Sequence, residues 1–147
     1  MAKPIPEGYR TVTPFLHIHG CAEAIELYKK AFGAEERAVM KLPDGKVMHA
    51  EIRFGDSIVM MSDPMGGSPT MSSVHLYVSD CDATFKRATD AGMKVRMELA
   101  DQFWGDRYGV VEDRFGNRWG IATHKEDVPR EEMKKRIDKA IADATKK

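Results

Sequence analysis

The side chains in this chain best suited to chemistry are three histidines and a carboxylate on β-rich stretches: His17, His49, His75 and Glu51. Imidazole and carboxylate together suit Mn, Fe, Ni or Zn. Period-two alternation puts Thr13, Phe15, His17 and His19 on one face of their strand, and Ser73, His75 and Tyr77 on one face of theirs. His49 and Glu51, two residues apart, also share a face. If those faces converge, the four groups could hold a divalent metal. If they do not, each histidine is a hydrogen-bonded core or rim residue, and His49 with Glu51 is a polar pair on an edge or dimer strand.

Asp101 to Gly109 is dense in aromatic and charged residues. It could place Trp104 or Tyr108 over a pocket mouth with Arg107 reading an anionic ligand. Equally, it could be a hairpin in which Arg107 pairs with Asp101 or Asp106. Asp63-Pro64-Met65-Gly66-Gly67 is either a pocket-edge loop or a plain linker. Cys21 and Cys81 each fall at a predicted helix start, where a thiol pKa can drop. Neither has a His–acid partner nearby in sequence, so a structural role is the simpler reading. The chain has no Gly-x-Ser-x-Gly elbow, no P-loop and no Gly-x-Gly-x-x-Gly fingerprint, so nucleotide-dependent and methyl-transfer readings lack a local motif.

The elements that must position these groups repeat. Thr11 to His19 reads as a strand, and Cys21 to Phe32 as a helix with an apolar stripe of Ala24, Ile25, Leu27, Tyr28, Ala31 and Phe32. Gly33 stands at its C-cap. Three strands follow: Glu36–Leu42, Lys46–Phe54 and Ser57–Ser62, joined by turns at Pro43-Asp44-Gly45 and Gly55-Asp56. The order then recurs as strand Ser72–Ser79, a helix capped by Asp80 or Asp82 and ending near Gly92, and strands Lys94–Ala100, Arg107–Glu112 and Arg118–Thr123. Cys21 and Cys81, Gly33 and Gly92, and Gly55 and Gly116 are each about 60 residues apart, the mark of a duplicated unit. Pro129 to Thr145 stands apart as an amphipathic helix with Met133, Ile137, Ala140, Ile141 and Ala144 on one side. Its basic residues alternate with acids, which does not suit nucleic acid.

Several strings within this doubled βαβββ order carry a family resemblance. They are Thr13-Pro14-Phe15-Leu16, Ala24-Ile25 with Tyr28, Ala31-Phe32-Gly33-Ala34, His49-Ala50-Glu51, Gly55-Asp56-Ser57 and Met61-Ser62-Asp63. Asp101 through Gly109, and Asp113 with Phe115-Gly116 and Trp119, complete the set. In this order they resemble the vicinal oxygen chelate superfamily (glyoxalase I, bleomycin-resistance proteins, extradiol dioxygenases), and its PhnB-like branch in particular, over about residues 7 to 128. One departure is Asp113-Arg114-Phe115-Gly116-Asn117, where the branch usually has Asp-Pro-Phe-Gly-His. The resemblance implies an α+β fold of two βαβββ modules forming a curved, open, barrel-like sheet with a central cleft, plus a C-terminal helix. It also implies frequent dimers, sometimes with pockets shared between chains. Enzymes of the superfamily typically hold a divalent metal on a first-strand His from each half and a carboxylate on the last strands. By register those positions fall on Thr13, Ser73, Gly120 and Val59 or Met60, none of them a good ligand; a shift of two residues in both first strands puts Phe15 and His75 there instead, still leaving one half without a ligand.

The whole-chain figures agree. With 147 residues, 23 basic and 23 acidic side chains and a formal charge of zero, the chain fits one domain and carries no bulk charge for nucleic acid. It has no apolar run long enough to cross a bilayer and no signal-peptide core, so a cytoplasmic protein is expected. Ten methionines lean towards an adaptable apolar lining. The expected organisation is a domain over residues 1–128, with modules at about 9–63 and 71–124, and a helical extension over 129–147. The expected function is binding of a small apolar or aromatic molecule, without cofactor, in a cleft lined by Thr13, Phe15, His17, Ser73, His75, Tyr77 and Trp104, within a homodimer. The alternative is a lyase or oxygenase using a divalent metal displaced onto the histidines and Glu51.

Overall fold

The computed structural model describes residues 2–146. Strand β1 (Phe15–His17) leads into helix α1 (Cys21–Phe32), then β2 (Glu35–Lys41), β3 (Val47–Phe54) and β4 (Ser57–Ser62). The second module repeats this as β5 (Ser73–Tyr77), α2 (Cys81–Asp90), β6 (Lys94–Asp101), β7 (Asp106–Glu112) and β8 (Arg118–His124), and α3 (Arg130–Thr145) follows. Each module forms its own open four-stranded sheet, ordered β1-β4-β3-β2 and β5-β8-β7-β6, with the first pair of each parallel and the rest antiparallel. The register is duplicated too. Phe15 pairs with Met60 in the first sheet, and His75 with Gly120 in the second. The first strands are shorter than the predicted Thr11–His19 and Ser72–Ser79, since the paired residues are Phe15–His17 and Ser73–Tyr77.

The helix starts show why the repeat holds. Gly20 caps α1 with φ +78°, a conformation that suits glycine, and has no side chain to receive the first orphan N–H groups. Asp63 supplies one from across the module. Its Oδ1 accepts from the Gly20 N–H at 3.0 Å and the Cys21 N–H at 3.4 Å, and its Oδ2 accepts from the Val47 N–H at 2.7 Å. The second module meets the same need with Thr123, whose Oγ1 accepts from the Cys81 N–H at 2.9 Å, while Asp80 accepts from the Ala83 N–H. Asp63 and Thr123 are related by the same offset as the two cysteines.

The outer edges of the sheets, β2 and β6, carry register shifts and charged residues, devices that discourage edge pairing. Between the modules, α1 packs against α2. A cluster of four aromatic rings joins the halves. Trp119 lies 4.7 Å from Tyr28, 4.9 Å from Phe32 and 5.3 Å from Phe54, centroid to centroid. Buried Asp113 ties their polar ends, accepting from the Tyr28 hydroxyl at 2.5 Å and the Trp119 Nε1–H at 3.0 Å. Its other oxygen closes its own turn through the Phe115 and Asn117 N–H groups. Asn117, where the branch usually has histidine, is fully buried and fixes the start of β5 by accepting from the Ser72 N–H. Helix α3 buries no residue and is held by Arg136, which donates to Glu126 and to the Phe103 carbonyl. No helix among the described residues is long and apolar enough to cross a membrane.

Candidate functional site

The register of the duplicated strands places the positions where the superfamily's metal ligands are expected. Thr13 precedes β1 and donates its hydroxyl to the Arg10 carbonyl at 3.2 Å. Ser73 opens β5 opposite Arg118. Met60 offers only a thioether, and Val59 is buried in the core. Gly120 shows how the space is used instead: a Cβ there would lie 2.9 Å from both His75 Nδ1 and Tyr108 Cε1. The two rings close over the position a ligand side chain would need. These residues do not fit the superfamily's metal.

The histidines and Glu51 separate between the two sheets. On the first, Phe15, His17, His49, Glu51 and Met60 lie on the face opposite that of buried Leu16, Ala50, Ile52 and Met61. Phe15 stacks on His17 at 4.6 Å and lies 5.9 Å from His49. His17 Nδ1 is 3.1 Å from the Ser62 hydroxyl, and His49 Nε2 is 3.4 Å from Glu51. Glu51 also faces Arg37 at 3.5 Å. Tyr9 is buried beside this group, its hydroxyl close to the Glu51 carboxylate. Burial, followed by the neighbouring Glu51 carboxylate, raises its pKa. His75 belongs to the second sheet, 5.1 Å from Tyr108 and 4.8 Å from Tyr77. Among the described residues, no three His, Cys, Asp or Glu side chains are grouped so as to hold a metal.

The second sheet carries a network that sequence reasoning missed. Asp106, 3 % exposed, accepts from His124 Nδ1 at 2.7 Å, the Tyr77 hydroxyl at 2.9 Å and Trp104 Nε1 at 3.0 Å. The other His124 nitrogen bonds Asp127 at 2.7 Å. Burial alone would raise the Asp106 carboxyl, but hydrogen bonds from His124, Tyr77 and Trp104 outweigh it and hold it below the usual carboxylate value. The two carboxylates in turn raise His124. Asp106 and His124 face each other across the β7–β8 pair, so cross-strand register was the signal that could have found them.

The other candidates resolve structurally. Arg107 pairs with Asp82 through a fork of bonds at 3.0–3.2 Å and with Asp101 at 3.3 Å, so its guanidinium is engaged within the hairpin and α2. Cys21 and Cys81 are buried, and burial with the nearby Asp63 pushes the Cys21 thiol up to about 12, the opposite of an activated nucleophile.

A cavity of about 650 Å³ opens between the modules, where the unpaired edge of β5 faces the start of β4 and the segment before β1. Phe32, Phe54, Trp119, Val74, Leu76 and Val78 supply apolar wall, and Arg10, Asp56, Ser57 and Thr84 add polar groups. Of the lining expected from sequence, His75 and Tyr77 border this cavity. Thr13, Phe15, His17, Ser73 and Trp104 lie outside it.

Two curved open sheets with duplicated βαβββ connectivity, meeting at their helices, define a protein of the glyoxalase fold. Residues 17–121 match the Glyoxalase/Bleomycin resistance protein/Dioxygenase superfamily, and the chain belongs to it. An uncharacterized protein of Mycobacterium bovis is 39% identical over 136 residues, covering 83% of this chain and 88% of that one. The crystal structure of TioX from Micromonospora sp. ML1 superposes with a TM-score of 0.65 at 26% identity, over 82% of this chain and all of that one. A PhnB protein from Bacillus cereus shares the fold, with a TM-score of 0.57 at 18% identity over 78% of this chain and 99% of its own.

Proposed function

We propose that this chain binds a small apolar or aromatic molecule in the cavity between its modules, without a metal at the superfamily's usual position. The observation that carries the reading is the cavity itself: about 650 Å³, floored by Phe32, Phe54 and Trp119, with a few polar groups at its margin. That size and lining match small-molecule sites generally. The side chains at the metal-ligand positions agree, since Thr13, Ser73 and Gly120 offer no soft or borderline donor. The chain also forms a homodimer in this proposal, through the faces that leave Phe15, Met40, Tyr77 and Met97 exposed.

A second reading, metal-dependent lyase or oxygenase chemistry, draws on one observation: His17, His49 and Glu51 share a sheet face beside the buried Tyr9. One preparation tests both readings. Protein purified without chelators is assayed for bound metal and screened by melting temperature against a library of small aromatic compounds. The binding reading expects substoichiometric metal and stabilisation of several degrees by some members, lost when Val74→Trp fills the cavity in a protein that still folds. Stoichiometric metal that disappears in His49→Ala would overturn it in favour of the second reading.

A further inference from the structure

Resting on the cavity reading above, we propose that its ligand is an apolar or aromatic carboxylate whose anionic group is held by Arg10. The strongly apolar and aromatic lining sets the body of such a molecule, and among the described residues Arg10 is the one permanently cationic side chain that borders the cavity. Among the described residues, the Arg10 guanidinium makes a single hydrogen bond, to the Tyr9 carbonyl at 3.2 Å, and no ion pair. It differs in this from Arg37, Arg107, Arg114 and Arg136, all of which face carboxylates. A planar guanidinium with donors to spare is the side chain that best matches a carboxylate.

The edge of β5 gives a second reason. The Arg118 N–H donates to the Ser72 carbonyl and the Val78 N–H to the Ala122 carbonyl, so the backbone groups of residues 72 and 78 turn towards β8. By the alternation of a strand, those of His75 and Tyr77 turn to the free edge. Both residues border the cavity, and N–H groups on an unpaired strand edge are open to an acceptor. An anionic ligand oxygen can take that place, which a hydrocarbon cannot. Asp56 also borders the cavity, and its Oδ1 accepts from the Ser57 hydroxyl at 2.9 Å. It opposes an anion, so its removal should strengthen binding.

Calorimetry with matched pairs tests the assignment. 2-Naphthoate is compared with 2-naphthamide, and decanoate with decanamide, on the full chain at low salt. The acids should bind about tenfold tighter than the amides, as expected for a charge-assisted fork, and the gap should narrow with added salt. Arg10→Gln should close the gap, weakening the acids about tenfold and the amides by much less. Asp56→Asn should widen it. Equal binding of acid and amide, or a preference that survives Arg10→Gln, would overturn the carboxylate assignment and leave the cavity reading standing. If neither member of either pair binds and the aromatic library also fails, the cavity reading falls with it. Arg10 is exposed, so its substitution does not threaten the fold.

Discussion

At the scale of single residues, the most consequential groups are carboxylates buried with several donors. Asp106 is one, and its hydrogen bond to His124 makes a prediction with a definite sign. Hydrogen bonds from His124 to Asp106, then to Asp127, raise the histidine above its usual 6.5. A raised folded value means that the stabilising contribution is complete below the unfolded pKa and is lost as pH rises through the folded one. For Asp106, whose folded value is lowered, the contribution is present above the unfolded carboxylate value and is lost as pH falls through the folded one. The pair is therefore tied most tightly between the ordinary carboxylate range and the raised histidine pKa. An NMR titration should give His124 a pKa above 6.5, and Asp106→Asn should lower it more than Asp127→Asn. A His124 titrating at or below 6.5 in the unmodified protein contradicts the network. None of this was legible in the chain read as a string. Period-two patterning assigns a residue to a face but not to a sheet, so His17, His49 and His75 looked able to meet although they sit on two sheets. Asp106 and His124 looked unrelated because their pairing depends on the β7–β8 register.

At the scale of elements, the order and type of every strand and helix were legible, because hydrophobic periodicity and turn glycines report local structure directly. What eluded the reading is how the ends are finished. Asp63 begins a stretch rich in proline and glycine and looks like the start of a linker. In the fold it is 5 % exposed and accepts three backbone N–H groups from two elements. A cap supplied from 42 residues away in sequence leaves no local trace. Asp63→Ala strips the start of α1 and the start of β3 at once, leaving buried donors unsatisfied. The expected loss is roughly 2–4 kcal/mol, more than the ~1 kcal/mol of an ordinary N-cap. The alanine variant of Thr123, which serves one helix start and the Val78 carbonyl, should lose less. Urea denaturation of the two variants gives the comparison, and equal losses would mean that Asp63 acts as a simple cap.

At the scale of the whole molecule, the duplication explains both what is shared with the superfamily and where the chain departs from it. The repeat carries Phe15 onto His75 and Met60 onto Gly120, and both pairs are adjacent in the sheets. A ligand set built on those registers would need donors in both halves, whereas here the space at Gly120 is taken by His75 and Tyr108. Fold and chemistry can part at this level because the sheets are stabilised by the buried face, and the opposite face is free to vary. That opposite face bears on the proposed homodimer. Each sheet exposes aromatic and methionine side chains there, including Tyr77 at 65 % and Met40 at 51 %, and both sheets lie open, not closed into a barrel. A stable dimer needs about 800 Å² buried per partner, and in this proposal the apolar parts of the two sheet faces provide it in preference to α3, a single helix of 16 residues. Light scattering should therefore give twice the 16.5 kDa of the chain. Met40→Glu, which puts a charge into the face at a position already exposed in the single chain, should shift it to monomer without loss of helix or strand signal, whereas Ile141→Glu on α3 should leave the dimer intact. A monomeric wild-type chain at working concentration would refute the dimer. Dissociation by Ile141→Glu but not by Met40→Glu would move the interface from the sheet faces to the terminal helix.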